Sequence, residues 1–308
     1  MKRHFLNASS PAALLLALGL ISCAGPSSAT PQEGSGATNF RLLGENGTHW
    51  SDNVIDPISM PYLFEPPMIR SNVQAIAIHH EFPETGVVGG GDLQAFAIQG
   101  RLALTDRLAL IAVKDGYVDF NPGGLPDDEG YADIAGGAKF AFYDDGEARL
   151  LLTGGLTYEG TNGDVEVLQG NGAGMWRPFL TGLWGGDAVN TILTVGGSLP
   201  QSSGREPTSI DAHLHLSPAD FGDLVPLIEL NGIHYIDDAN GPPVSLELVD
   251  YGTLGSSQVK GQTFVSGAIG GRWRMTERMD LGLAYEKALT TRKYIFDQRV
   301  TADWVIRF

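Results

Sequence analysis

Residues 294–308, YIFDQRVTADWVIRF, decide the fold. Tyr294, Phe296, Val300, Ala302, Trp304, Ile306 and Phe308 fall on one apolar face, and Asp297, Arg299, Thr301, Asp303 and Arg307 fall on the other. A period of two separates these sets only in a β-strand, because helical spacing would mix them. The spacing predicts a strand over 294–308 with one apolar side and one charged side.

The same two-sided pattern recurs upstream. Strand candidates run over 71–82, 92–104, 108–119, 131–143, 148–159, 173–184, 188–199, 208–217, 224–236, 261–274, 279–289 and 294–308. Their lengths suit tilted membrane strands. Connections at Thr105–Arg107, Asp144–Glu147, Gly185–Asp187, Ser217–Asp223 and Met275–Arg278 are short. Those at 83–91, 120–130, 160–172, 200–207 and 237–260 are longer, and only Thr290–Lys293 interrupts the alternation. Alternating short and long connections suit an all-β chain folded as a closed antiparallel transmembrane β-barrel of about twelve strands, occupying 70–308. On 208–217, Ile210, Ala212, Leu214 and Leu216 should meet lipid, opposite Asp211, His213, His215 and Ser217. Phe142, Tyr158, Trp176, Trp184, Trp273, Tyr285, Trp304 and Phe308 lie toward strand ends on apolar faces, where a barrel places interfacial aromatics. The pairs Gly136-Gly137, Gly154-Gly155, Gly196-Gly197 and Gly270-Gly271 read as points of sharp coiling with small inward residues.

Composition agrees. Glycine numbers 41 in 308 residues while apolar content is an ordinary 43%, and no apolar run reaches the length of a membrane helix. The net charge of −16, from 20 basic and 36 acidic side chains, makes nucleic acid a poor partner.

At the other end, Lys2 and Arg3 precede an apolar run from Ala12 to Ile21, the anatomy of a signal peptide over 1–23. Leu20-Ile21-Ser22-Cys23 resembles a lipobox, which implies lipidation at Cys23, the only cysteine; ordinary cleavage after Ala24 or Ala29 is the alternative. Residues 24–69 are expected to be a disordered tether followed by an irregular segment. From 39 to 69 aromatics and prolines accumulate, as in PYLFEPPMI, and the segment either plugs the barrel or links loosely to it, the linker being the plainer expectation.

The terminal aromatic strand, with Trp304, Ile306 and Phe308, resembles the closing strand of Gram-negative outer-membrane β-barrels, which implies recognition by the barrel-insertion machinery and contact with outer-membrane lipid. YADIAGGAKFAFYDD and MDLGLAYEKAL are similar in style to strands of FadL-like and meta-pathway (aromatic-degradation) outer-membrane transporters. The resemblance implies porin-like passage or binding of small solutes. A structural or surface-interaction barrel with a side-chain-filled lumen is the alternative.

The polar faces supply the lumen candidates: Arg101, Asp133, Lys139, Arg149, Glu159, Arg177, Asp211, His213, His215, Glu229, Asn231, Arg272, Arg274, Asp280, Glu286, Asp297, Arg299 and Asp303. Mixed signs fit either mutual pairing or a weakly selective aqueous path. Asp211, His213 and His215 form the densest cluster. Two imidazoles two residues apart on a strand would have to converge to share a metal, and a hydrolase resembling the outer-membrane phospholipase would place its histidine on the lipid face. No catalytic residue, metal or cofactor is therefore expected. Adjacent His79 and His80 must point to opposite faces, which suits rim residues. Gly170-x-Gly172-x-Gly174 lacks the following helix that a phosphate cradle requires.

Overall fold

The computed structural model describes residues 49–85, 88–202, 204–291 and 294–308. Fourteen strands form one antiparallel sheet: β1 (Asn72–Glu81), β2 (Gly91–Ala103), β3 (Leu108–Lys114), β4 (Tyr117–Pro122), β5 (Asp128–Tyr131), β6 (Ala135–Asp145), β7 (Leu150–Glu159), β8 (Met175–Gly185), β9 (Val189–Pro200), β10 (Thr208–Pro218), β11 (Leu224–Asp237), β12 (Thr263–Thr276), β13 (Met279–Ala288) and β14 (Gln298–Arg307). β1 pairs with β2 from Asn72↔Arg101 to Glu81↔Asp92 and with β14 from Asn72↔Arg307 to Glu81↔Gln298, so the sheet closes on itself.

Fourteen strands make twelve staves. β3 and β4 are one stave broken at Asp115-Gly116, where the Asp115 carboxylate accepts the Ile98 N–H at 2.8 Å and Gly116 takes φ +130°. A Cβ on Gly116 would lie 2.5 Å from the Phe96 carbonyl oxygen, so glycine is required at this bulge. β5 and β6 are likewise one stave interrupted at 132–134. β4 and β5 pair as a hairpin, so the connection expected over 120–130 shrinks to 123–127.

The closing strand differs from its expected bounds. Tyr294 adopts φ +56°, ending the extended run, and Tyr294, Ile295 and Phe296 are buried inside rather than lying on the outward face. β14 therefore starts at Gln298, and the last connection is 289–297, longer than the expected Thr290–Lys293. From Arg299 onward the alternation is as read, with Trp304 and Phe308 outside and Arg299, Thr301 and Asp303 inside.

Phe96, Ile98, Ile134, Leu180, Ile228 and Ile269 are each exposed around the outside, and Phe142, Trp176, Trp184, Trp273, Tyr285, Trp304 and Phe308 are exposed among them. Tyr158 is half-buried because it stacks on Trp176 with ring centroids 4.7 Å apart. A continuous apolar exterior of this extent is stable against hydrocarbon and not against water.

The inward glycines answer large neighbours. A Cβ on Gly155 would lie 2.3 Å from the Phe179 ring, and one on Gly196 would lie 2.6 Å from the Arg177 guanidinium. These positions are small because the lumen is full.

Candidate functional site

Residues 49–71 occupy the lumen. The chain enters at the rim of short turns, where His49 Nε2 meets Asp144 Oδ2 at 2.9 Å and the Trp50 indole N–H donates to Asp144 at 3.0 Å. It climbs past Ile58 and Ser59, whose N–H groups donate to Glu229 on β11 at 3.0 and 2.7 Å. It turns at Tyr62 and Leu63 near the long-loop end, where the Tyr62 hydroxyl donates to Glu159 and Arg177 donates to the Leu63 carbonyl at 2.8 Å. The descending limb passes Glu65, Pro66 and Pro67 and returns to the short-turn rim at Arg70, which pairs with Asp56 at 2.5 Å. The segment is thus a plug without strand pairing. The looser linker expectation is overturned because eight strands supply partners to this backbone and its carboxylates. Residues 1–48, including the proposed signal peptide, Cys23 and the tether, lie outside the described residues.

The plug's acids fit the barrel's bases. Glu65 accepts from Arg101 at 2.7 Å and from Lys139 at 2.7 Å, while Lys139 also donates to the Pro66 carbonyl at 2.7 Å. Backbone carbonyls of the plug are met by Gln99 at Pro61 (2.9 Å), Thr194 at Glu65 (3.0 Å) and Thr153 at Pro67 (2.8 Å). Irregular backbone in a lumen needs such partners, since it has no ladder of its own. Met60, Leu63, Phe64 and Met68 pack against Leu151, Leu183, Ile192 and Phe264.

The lumen candidates divide into two groups. Arg101, Lys139, Arg177, Asp211, His213, His215, Glu229, Asn231, Arg272 and Arg299 point inward and are buried. Arg177 pairs bidentately with Asp211 at 2.5 and 2.7 Å, and Arg272 pairs with Asp303 at 2.8 Å. His213 bridges Asp211 and Asn231, each at 2.8 Å, and His215 meets Glu229 at 2.8 Å. Both ring nitrogens of His213 are engaged, whereas His215 uses Nδ1 alone and its buried Nε2 has no partner; among the described residues there is no group of three or more His, Cys, Asp or Glu side chains placed to hold a metal ion.

Arg149, Arg274 and Asp297 do not line the lumen. Arg149 caps the Gly186 carbonyl at a short turn (3.2 Å), and Arg274 holds the Asn53 carbonyl at the same rim. Asp297 sits half-exposed in the connection before β14, because that strand begins a residue later. Asp133 is buried in the break between β5 and β6, where its carboxylate accepts the Gly163 N–H at 2.8 Å and the Gly170 N–H at 3.0 Å. His79 faces out, while His80 is buried and meets the Ile295 carbonyl at 2.6 Å, so only the expected opposition of the two is seen and not a shared rim position.

A second segment closes the other end. The connection 238–262 folds into the mouth, and Asp250 pairs with Arg299 at 2.7 and 2.8 Å. Glu247 accepts the Leu254 and Ser256 N–H groups at 2.8 and 2.7 Å, and burial still pushes its carboxyl up. Sequence reasoning missed both Glu247 and Asp250 because neither lies on a periodic segment. Between this loop and the plug tip is a cavity of about 50 Å³, lined by Tyr62, Lys114, Asp133, Glu159, Glu206, Tyr235, Glu247 and Asp250 among others.

No family model and no curated protein matches this chain. Among solved structures, an outer membrane channel from Pseudomonas putida F1 superposes with a TM-score of 0.54 at 16% identity, covering 82% of this chain and 100% of that one. The NanC porin gives 0.49 at 8% identity over 77% and 99% of the two chains, and the KdgM porin 0.45 at 10% over 76% and 99%. The first likeness bears on architecture alone, and it agrees with the closure described above: the chain has a closed antiparallel β-barrel fold, similar to that of the Pseudomonas putida channel.

Proposed function

We propose that the chain is an outer-membrane barrel that passes small molecules when its plug moves. The observation that carries this reading is the way the plug is held. Its two limbs enter and leave at one rim, and beside the apolar packing of Met60, Leu63, Phe64 and Met68 its backbone and carboxylates are held by hydrogen bonds and ion pairs that water can replace. The FadL-like and meta-pathway resemblance puts hydrophobic or aromatic compounds among the candidate solutes, and lipidation of Cys23 belongs to the same proposal. The reading is tested in planar bilayers with the full-length barrel and a variant lacking residues 50–68. The full-length protein should open rarely, and the deletion should conduct steadily. A folded deletion variant with no conductance would leave the structural barrel as the function, a reading favoured by the ion pairs that fill the lumen as described.

A further inference from the structure

The cavity beneath the loop 238–262 has an uneven charge. Its lining cation is committed, Lys114 to Glu159 at 2.5 Å, and so are the cations nearby, Arg299 to Asp250 and Arg177 to Asp211. Two of its acids are committed as well, Asp133 to the Gly163 and Gly170 N–H groups and Glu247 to those of Leu254 and Ser256. Glu206 differs. It lies on the connection between β9 and β10, lines the cavity, is only 5% exposed, and its Oε2 has no hydrogen-bond partner. Gly172, at φ +87°, backs onto the carboxylate so closely that a Cβ would lie 2.3 Å from Oε2. A buried carboxylate without a partner is costly unless it is protonated or meets a cation.

We propose that this chamber binds one monovalent cationic group, an alkali ion or a primary ammonium, on the Glu206 carboxylate. Asn171, Ser198 and Ser209 line the same space and carry neutral side-chain oxygens. A divalent ion takes six or more oxygens with several carboxylates, and only one carboxylate here is uncommitted. The site does not depend on the barrel conducting. Protons compete for it: burial, with Glu159, Asp133 and Glu247 adding repulsion against the opposing pull of Lys114, pushes Glu206 up to about 7. Tyr62, Tyr235 and Asp250 complete the ionisable lining.

The test is equilibrium binding of radiolabelled rubidium to the purified full-length barrel in detergent, with methylammonium as competitor. At pH 8 a single saturable rubidium site is expected, weakening by about tenfold per pH unit well below 7 as the carboxylate protonates. Glu206→Gln should abolish it, and Glu206→Asp, which keeps the charge and withdraws it by one carbon, should weaken it. Competition by methylammonium assigns the site to ammonium groups too, and its absence restricts the site to bare ions. No saturable rubidium binding by the wild type, or unchanged affinity in both variants, overturns the proposal whatever the bilayer recordings give.

Discussion

Glu65 illustrates how single side chains hold this molecule together. One carboxylate on an irregular segment balances Arg101 and Lys139, both buried. Glu65→Gln should leave two cations without a counter-charge and destabilise the plugged state by about 3–5 kcal/mol, read from urea unfolding in detergent. Adding Lys139→Met should recover part of that loss, because the second uncompensated charge is then removed. Glu206 predicts a pH dependence of opposite sense to the usual carboxylate. Its carboxyl is raised to about 7, so between about 4.5 and 7 the folded state holds more protons than the unfolded one. Stability therefore falls as pH rises through that window. Thermal unfolding from pH 5 to 8 should show the decline, and Glu206→Gln should flatten it. These residues were only partly legible in the sequence. Arg101 and Lys139 were visible as polar positions on alternating strands, but Glu65 and Glu206 sit in aperiodic stretches whose roles exist only once the barrel brings distant strands around them.

At the scale of the element, the strands were readable because their period of two survives wherever lipid and lumen lie on opposite sides. All twelve staves lie close to their expected positions, and the aromatic residues near their ends face outward. The reading failed where a local conformation breaks the period: Tyr294 at φ +56°, the Asp115-Gly116 bulge, and the interruption at Asp133. His213 is fully enclosed and bonded to Asp211 and Asn231, so it is not a freely replaceable lumenal residue. Leu230→Arg, on the lipid side of β11, should cost about 2–4 kcal/mol and lower the yield of folded barrel in lipid vesicles. His213→Ala should insert normally yet unfold at lower urea, because it strands Asp211 and Asn231 rather than placing a charge in hydrocarbon. Equal insertion by both variants would overturn the assignment of faces.

The described part of the chain from residue 49 onward is a sheet closed by its two end strands around a segment of the same chain. Closure pairs Asn72 with Arg307, so no barrel exists until the last strand is in place. The plug was legible only as one of two alternatives for this segment, because the partners that decide between them lie far away in sequence, such as Ser59 with Asn231 at 2.9 Å. A cysteine pair at 59 and 231 in a Cys23→Ser background, joined by a short bismaleimide, should hold the plug in place and silence any conductance seen before crosslinking. Conductance unchanged by the crosslink would mean that solutes do not follow the plug's path. The plug's two limbs leave by one rim, so the chain is tucked into the barrel rather than threaded through it. It can enter a finished barrel and leave again without undoing a strand. A pull on the His49 end would load its contacts one after another, like opening a zip, whereas the strands around it bear load side by side. The same chain thus combines a wall that resists force with a stopper that yields to it.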